Sequence, residues 1–455
     1  MKNLLLNSDS YKYSMHVQYP EGTEYVYSYI ESRGGKIPST VFFGLQGFIN
    51  EYLSKPITKE DIDEAEEIMM THVGVFNRAG WEYILEVHNG YMPVEINAVP
   101  EGTVVPVGNA LLSIVNTDPK CFWLTTFLET ALLRAIWYPT TIASQGYQTK
   151  LAIKEYLEKT GSLDSLDYKL VDFGARGVSS LESSGIGGTA HLLNFMSTDN
   201  VAALVYAKKY YGCAMAGYSV PAMEHSTVTS WGREHELDSY SNMIEKYKDF
   251  HIISCVSDSY DIFEACHMIG RELRYKIISS KMTYVVRPDS GDPCDVIGRC
   301  LNILIDYFGY VTNDKGYRVL NNIKILWGDG INHDSILEIM EYVKNLGYSI
   351  DNLVFGSGGA LLQQMNRDTM KFAMKCSAIK ANGEWIDVYK EPITDSGKKS
   401  KRGLVNLYRN LDTGEFVTTT KENRPENCVP AMESVYWDGN RVIQYTLDEI
   451  RDRIK

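Results

Sequence analysis

The chain has 455 residues, 44% of them hydrophobic and 23% charged. That is the make-up of a folded globular protein too long for one ordinary core, so two domains are expected. With 45 basic against 58 acidic residues the net charge is −13, which argues against general attraction to nucleic acid or to an anionic membrane. At the N-terminus, Leu4-Leu5-Leu6 gives way to Asn7-Ser8-Asp9, too short an apolar run for a signal peptide. Residues 20–50 and 90–116 are rich in Tyr, Val and Thr, with turns at Pro20-Glu21-Gly22 and Pro100-Glu101-Gly102. The most apolar segment, 122–139, is interrupted by Glu129 and Arg134 and reads as a buried helix rather than a membrane span.

From residue 168 the pattern changes. Tyr168-Lys169-Leu170-Val171 ends in Asp172-Phe173-Gly174, and a helix over roughly 199–211 carries Val201, Leu204, Val205 and Tyr211 before Gly212. Four further short apolar runs then end abruptly in charged or glycine-rich turns. Ile252–Val256 runs into Ser257-Asp258-Ser259-Tyr260-Asp261, and Tyr284-Val285-Val286 into Arg287-Pro288-Asp289-Ser290-Gly291. Ile323–Trp327 runs into Gly328-Asp329-Gly330, and Leu353-Val354-Phe355 into Gly356-Ser357-Gly358-Gly359. Between them Ile262, Cys266, Ile269 and Leu273 share one helical face, as do Ile297, Leu301, Leu304 and Phe308, and then Ile336, Ile339, Met340 and Val343. Short strands alternating with amphipathic helices imply parallel βαβ units, whose strand ends pool their groups at one rim. Residues 376–447 return to the antiparallel style, with turns at Asn382-Gly383, Asp412-Thr413-Gly414 and Asp438-Gly439. A mainly antiparallel domain built from both chain ends is therefore expected beside an α/β barrel. The eight cysteines contain no CxxC pair and read as reduced core residues of a cytosolic protein.

The motifs have plain alternatives. Asp172-Phe173-Gly174 has the form of the kinase magnesium motif, but no Gly-rich loop with a strand lysine and no HRD-type loop accompanies it. Gly356-Ser357-Gly358-Gly359 lacks the full dinucleotide spacing because position 361 is Leu, leaving a single-phosphate cradle or a tight turn. Glu224-His225 and His235-Glu236 do not match HExxH, and His235 reads as an ordinary surface or core residue. His225 follows Gly217-Tyr218-Ser219-Val220-Pro221 and could be a nucleophile or proton carrier. Asp258, Asp289 and Asp329 are metal, ribose or histidine partners if they meet, and otherwise turn residues or helix caps. The loop Lys398-Lys399-Ser400-Lys401-Arg402 is a solvated turn or a basic flap over phosphates.

Taken together and in order, these motifs resemble the nicotinamide phosphoribosyltransferase family, over nearly the whole chain. The resemblance begins at Asp9-Ser10-Tyr11-Lys12 and Gln18-Tyr19-Pro20 and continues through Asp172–Ser180, Gly217–Pro221 and Glu224–Thr227. It then takes in the four strand ends. It implies an irregular (β/α) barrel of the type II phosphoribosyltransferase kind over 136–368, with a β-rich domain from 1–135 and 369–455. It implies a pentosyltransferase that joins nicotinamide to phosphoribosyl pyrophosphate, giving nicotinamide mononucleotide and pyrophosphate for NAD salvage. Mg²⁺ is the implied cofactor, with its ligands left unassigned, and ATP the co-substrate, hydrolysed through a phosphohistidine. A cytoplasmic homodimer with shared active sites is implied, with no nucleic-acid or membrane partner.

By position, Phe173 and Tyr11, the latter from the partner chain, look like the rings that stack nicotinamide, with Arg287, Asp199 and Ser254 around the base. Arg176 resembles a phosphate ligand, Asp289, Gly328 and Asp329 a ribose site, and Gly358 and Gly359 a 5′-phosphate loop. Arg367 and Lys375 resemble pyrophosphate or ATP-phosphate ligands. His225 resembles the phosphorylated histidine and Asp258 its orienting carboxylate. A carboxylate at Asp199 accepts from a carboxamide and repels a carboxylate, which favours nicotinamide over nicotinic acid. The chain departs from the pattern at Ala373, where a hydroxyl is expected among the phosphate ligands, and at Ala175, where an aromatic residue is expected beside Phe173. The competing readings are a nicotinate phosphoribosyltransferase, a catalytically silent nucleotide-binding protein, and a barrel hydrolase using Asp258 and Asp289 as acid and base.

Overall fold

The computed structural model describes residues 3–394 and 399–454, so Lys398 of the basic loop lies outside the described residues. The chain forms two compact units, Met1–Ser144 with Lys208–Cys213 and Met365–Lys455, and Gln145–Ala207 with Ala214–Gln364. The boundaries read from the sequence fall after residues 135 and 368, against breaks after Ser144 and Gln364, and Lys208–Cys213 joins the first unit.

The first unit is organised by a seven-stranded sheet whose pairings are all antiparallel. An inner strand, Thr23–Ser32, lies between Phe372–Ala381 and Ala110–Asn116. The two chain ends therefore build one sheet, as the matching turn chemistry of the two flanks implies. Ile96, Leu112, Ile114 and Tyr436 join Trp81, Trp123 and Phe127 in its core.

The second unit carries six parallel strands in the spatial order Ser197–Thr198, Leu170–Asp172, Leu353–Ser357, Ile323–Trp327, Thr283–Arg287, Ile252–Val256. The two edges are joined through residues 218–222, since Ser197 bridges Tyr218 and Ala222 bridges Ser254. Backbone bonds from Tyr218 to Met196 (2.7 Å) and from Ser254 to Pro221 (3.0 Å) seal this seam. The segment Gly217–Pro221 thus works as a stave of the barrel.

The helices follow from local sequence. Pro293–Phe308 begins with Asp292 as N-cap and Pro at its first position, buries Ile297, Cys300, Leu301 and Leu304, and stops at Gly309 with φ 68°. His333–Asn345 starts from an Asn332–Ser335 capping box and buries Ile336, Ile339, Met340 and Val343. Segment 122–139 is split between Leu124–Phe127 and the start of Glu129–Thr160. Among the described residues no helix is long and apolar enough to cross a membrane. All eight cysteines are free.

Lys169 fixes the start of the strand that ends at Asp172. It is 1% exposed, and Nζ donates to the carbonyls of Ile350 (2.8 Å), Leu353 (2.7 Å) and Asp351 (3.3 Å). Those carbonyls lead into the strand Leu353–Ser357, so one ammonium sets the register of the two strands that carry Phe173 and Gly356. Lys169→Met leaves the carbonyls unpaired in a dry interior and is expected to lower stability by about 3 kcal/mol. Urea unfolding of the variant, with an unchanged midpoint counting against this role, checks it.

Candidate active site

The strand ends of the second unit meet as the barrel register requires. Phe173 is half-buried, and its backbone N–H donates to the Ser357 carbonyl at 2.9 Å. Its ring lies on bare backbone: a Cβ added to Gly356 would stand 2.1 Å from Phe173 Cε2. One added to Gly328 would stand 3.5 Å from the same atom and 3.3 Å from Asp289 Oδ1. The aromatic ring and the Asp289 carboxylate therefore share the face of Gly328. Gly174 and Gly177 bring the next turn close to the last strand end, their added Cβ atoms meeting the Gly358 carbonyl at 3.0 Å and Gly359 Cα at 3.4 Å. The exposed Arg176 sits between them on this turn.

Asp258 is the organising carboxylate. Its side chain is 6% exposed and accepts from His225 Nε2 (3.0 Å), the Ser290 hydroxyl (2.7 Å) and the Asp289 backbone N–H (3.1 Å). Burial pushes its carboxyl up, but the bonds from Ser290, His225 and Asp289 outweigh it and hold the group below its ordinary value. The ionised form and its bonds are then kept above the ordinary carboxylate range and lost only as pH falls beneath it. Asp289 is shifted the other way. Burial raises its carboxyl, Arg287 opposes, and Asp258 and Asp329 add to the rise. Three carboxylates crowd one rim, an arrangement that a cation or ribose hydroxyls would relieve.

Ser254 and Arg287 stand on adjacent strands, with Ser254 opposite Val285 and Val256 opposite Arg287, so the two side chains share one face of the sheet. Ser254 Oγ and Arg287 Nε are both buried without a hydrogen-bond partner. Buried polar atoms of this kind are uncommon in finished structures and fit a ligand site. Asp199 is exposed, and its Oδ1 accepts from the Ser219 hydroxyl on the sealing stave. Asp329 is exposed as well, while its backbone carbonyl accepts from Trp327 Nε1 (2.7 Å). His235 is a surface residue paired with Asp238 at 2.8 Å.

The remaining expected residues belong to the first unit. Tyr11, 59% exposed, lies in the short helix Ser10–Val17 with the Lys12 ammonium 5.1 Å from its ring centre. Lys375 sits opposite Tyr29 in the central sheet. Burial lowers its amine, Glu129 opposes, and Arg33, Lys390 and Arg367 add like-charge crowding. Arg367 is exposed and pairs with Asp368 at 3.1 Å. Arg33 and Lys390 thus join the two expected cations, and no motif pointed to them. In the basic loop Lys401 pairs with Glu31, Lys399 with Glu391, and Arg402 lies 5.5 Å from the Tyr389 ring centre. Among the described residues, the one mixed group with metal-ligand spacing is His88, Asp118 and Cys121 in the first unit. Its Asp118 already accepts from Tyr83, His88 and the Lys120 N–H.

The sequence profile of the nicotinate phosphoribosyltransferase family matches residues 168–428, and that of the nicotinamide phosphoribosyltransferase N-terminal domain matches 3–96. A nicotinamide phosphoribosyltransferase from Xanthomonas campestris pv. campestris is 48% identical over 458 residues, covering 99% of this chain and 98% of that protein. Another from Acinetobacter baylyi is 31% identical over 488 residues, covering 98% and 96%. This chain belongs to the nicotinamide phosphoribosyltransferases of that wider family. It is thereby a pentosyltransferase. The fold agrees with solved members of the type II class. The nicotinate-nucleotide pyrophosphorylase of Pyrococcus furiosus matches with a TM-score of 0.64 at 16% identity, covering 100% of this chain and 94% of that one. Human nicotinic acid phosphoribosyltransferase matches with 0.60 at 15% identity, covering 98% and 92%.

Sequence reasoning left out several residues that these phosphoribosyltransferase strand ends bring in. Asp172 and Asn200 tie the Phe173 and Asp199 segments together, Ser290 completes the Asp258 site, and Gly356 makes room for the ring. Asp172 and Gly356 stand inside motifs that were read, whereas Arg33 and Lys390 carry no local signal.

Proposed function

We propose that the chain transfers the phosphoribosyl group of phosphoribosyl pyrophosphate to nicotinamide, for NAD salvage, and couples this to ATP hydrolysis through His225. The observation that carries the transfer is the Phe173 ring lying on Gly356 and Gly328 beside the Asp289 carboxylate. A flat apolar surface for a neutral base and a carboxylate for the ribose hydroxyls then adjoin, which suits attack of the ring nitrogen on C1. The transition state gathers positive charge on the sugar and negative charge on departing pyrophosphate. Asp289 and Asp329 would steady the first while Arg176 and the Gly358-Gly359 backbone hold the phosphates. Asp289 and Asp329 also fit a hard cation, and bound Mg²⁺ would supply charge neutralisation at the leaving pyrophosphate. Tyr11 of a second copy would complete the sandwich over the base in a homodimer.

For the coupled reaction, an ionised Asp258 can only accept, so His225 Nε2 donates to it and the free lone pair lies on Nδ1. Nδ1 is the atom that would take the γ-phosphoryl group as ADP leaves, and water would then cleave the P–N bond to release phosphate and restore the imidazole. Asp258 would orient the ring and stabilise the positive charge that forms on it.

Choice of the amide rests on Asp199, which Ser219 holds by one oxygen, leaving the other for the carboxamide NH₂. The test is incubation with phosphoribosyl pyrophosphate and Mg²⁺, with nicotinamide or nicotinic acid, with and without ATP, identifying the mononucleotide formed. Nicotinamide mononucleotide is expected, in greater yield with ATP; nicotinate mononucleotide as main product would overturn the reading. Asp199→Ser is expected to shift the preference toward nicotinic acid by about tenfold or more. An unchanged ratio removes Asp199 from substrate choice.

A further inference from the structure

Asp172 stands directly before Phe173, and Asn200 directly after Asp199. Both are 0% exposed. One carboxylate oxygen of Asp172 accepts from the Gly174 N–H (2.7 Å), on the far side of Phe173. The other accepts from Asn200 Nδ2 (3.0 Å), on the far side of Asp199. The main chain repeats the link, since the Asp199 N–H donates to the Asp172 carbonyl at 3.0 Å. Asn200 has no freedom to turn over. Its amide nitrogen also donates to the Ser184 carbonyl (2.9 Å), and its oxygen accepts from the Ser184 hydroxyl (2.9 Å) and the Ala203 N–H (3.3 Å). Gly188 leaves room for the pair: a Cβ there would stand 2.4 Å from Asn200 Nδ2 and 3.0 Å from Asp172 Oδ2.

We propose that Asp172 and Asn200 are positioning residues for base recognition, a latch that holds the stacking ring of Phe173 and the amide-reading carboxylate of Asp199 at one fixed spacing. This rests on the reading that Phe173 and Asp199 bind nicotinamide. A ring and a carboxylate that must grip opposite parts of one small heterocycle have to be spaced to a fraction of an ångström. Two separate loops carry them here, and a single buried carboxylate bonds to both. Bonds to a charge in a dry interior are stronger and stiffer than neutral ones. Neither residue touches the substrate; the latch acts on where two other side chains stand.

The prediction concerns one substrate and not the other. Asp172→Asn retains one acceptor oxygen and turns a donor toward a donor, so one arm is lost. Asn200→Asp sets two carboxylates face to face. The double exchange, Asp172→Asn with Asn200→Asp, restores a donor–acceptor pair in reverse and leaves an oxygen for Gly174, but sets a carboxylate oxygen against the Ser184 carbonyl that Asn200 Nδ2 serves. Each single change is expected to raise KM for nicotinamide about tenfold, with KM for phosphoribosyl pyrophosphate moved less than about twofold. The double exchange should recover part of the loss in KM for nicotinamide relative to Asn200→Asp, which has no donor between its carboxylates. Asn200→Ser, which removes the arm together with the bonds to Ser184 and Ala203 but adds no charge, is the second variant and should show the same split. Equal increases in both KM values overturn the latch. So does a double exchange that regains thermal stability without regaining KM. Phe173→Ala and Asp199→Ser are measured alongside. If these leave KM for nicotinamide unchanged, the nicotinamide reading of the pocket fails. If they raise it and Asp172→Asn does not, the latch alone fails.

Discussion

Gly356→Ala is expected to lower kcat/KM for nicotinamide about a hundredfold while the protein stays folded. The added methyl would stand 2.1 Å from Cε2 and 2.4 Å from Cδ2 of Phe173, where relaxed carbon contacts need about 3.5–4.0 Å. The ring must therefore swing away by about 1 Å or more, and a shift of that size can cost about two orders of magnitude in rate. The backbone has no objection of its own, because Gly356 is not among the glycines with positive φ. The half-buried ring has solvent to move into, so the strain is relieved at the site rather than by unfolding. Steady-state kinetics with both substrates, beside a thermal melt, provide the check. Gly356→Ala combined with Phe173→Ala should be far from additive, since both changes act on one ring. A single alanine variant within about threefold of the parent would remove the ring from the mechanism.

The second large effect separates His225 from Asp258. His225→Ala is expected to abolish ATP-stimulated turnover and ATP hydrolysis, leaving a measurable basal transfer. Asp258→Ala should lose the ATP response and also reduce the basal reaction by about tenfold. The difference follows from the bonds. His225 makes one contact with the cluster, to Asp258, whereas Asp258 also holds the Asp289 N–H and the Ser290 hydroxyl. Removing Asp258 frees the turn on which the Asp289 carboxylate stands. Initial rates with and without ATP, with phosphate release followed in parallel, give the answer. Full ATP hydrolysis in His225→Ala would rule out the phosphohistidine, and identical basal rates in the two variants would rule out the second role of Asp258.

Much of this was legible in the sequence because the signals are local. The runs at 252–256, 284–286, 323–327 and 353–355 are short, apolar, mostly buried and bounded by turn residues, and the strands Ile252–Val256, Thr283–Arg287, Ile323–Trp327 and Leu353–Ser357 cover them. Helical faces such as Ile336, Ile339, Met340 and Val343 were equally plain. Gly217–Pro221 was not, because a stave with two isolated bridges has neither the length nor the alternation of a strand, and only the closure of the barrel shows its place.

The division between the two kinds of information runs along range. Order, strand ends and the residue types at them come from neighbours in the chain, so periodicity and turn chemistry were enough to imply parallel βαβ units, and the ordered motifs to show a resemblance to a phosphoribosyltransferase family. Which strand end faces which depends on sheet register, a property of pairing between distant segments. The register brought the Phe173 ring onto Gly356 and Gly328, and joined Asp258 to His225, a residue 33 positions away. It turned Asp172 from a motif letter into a buried tie to Asn200. It also surrounded Lys375 with Arg33 and Lys390, which lie in unrelated stretches of sequence and have no periodic or motif signal of their own.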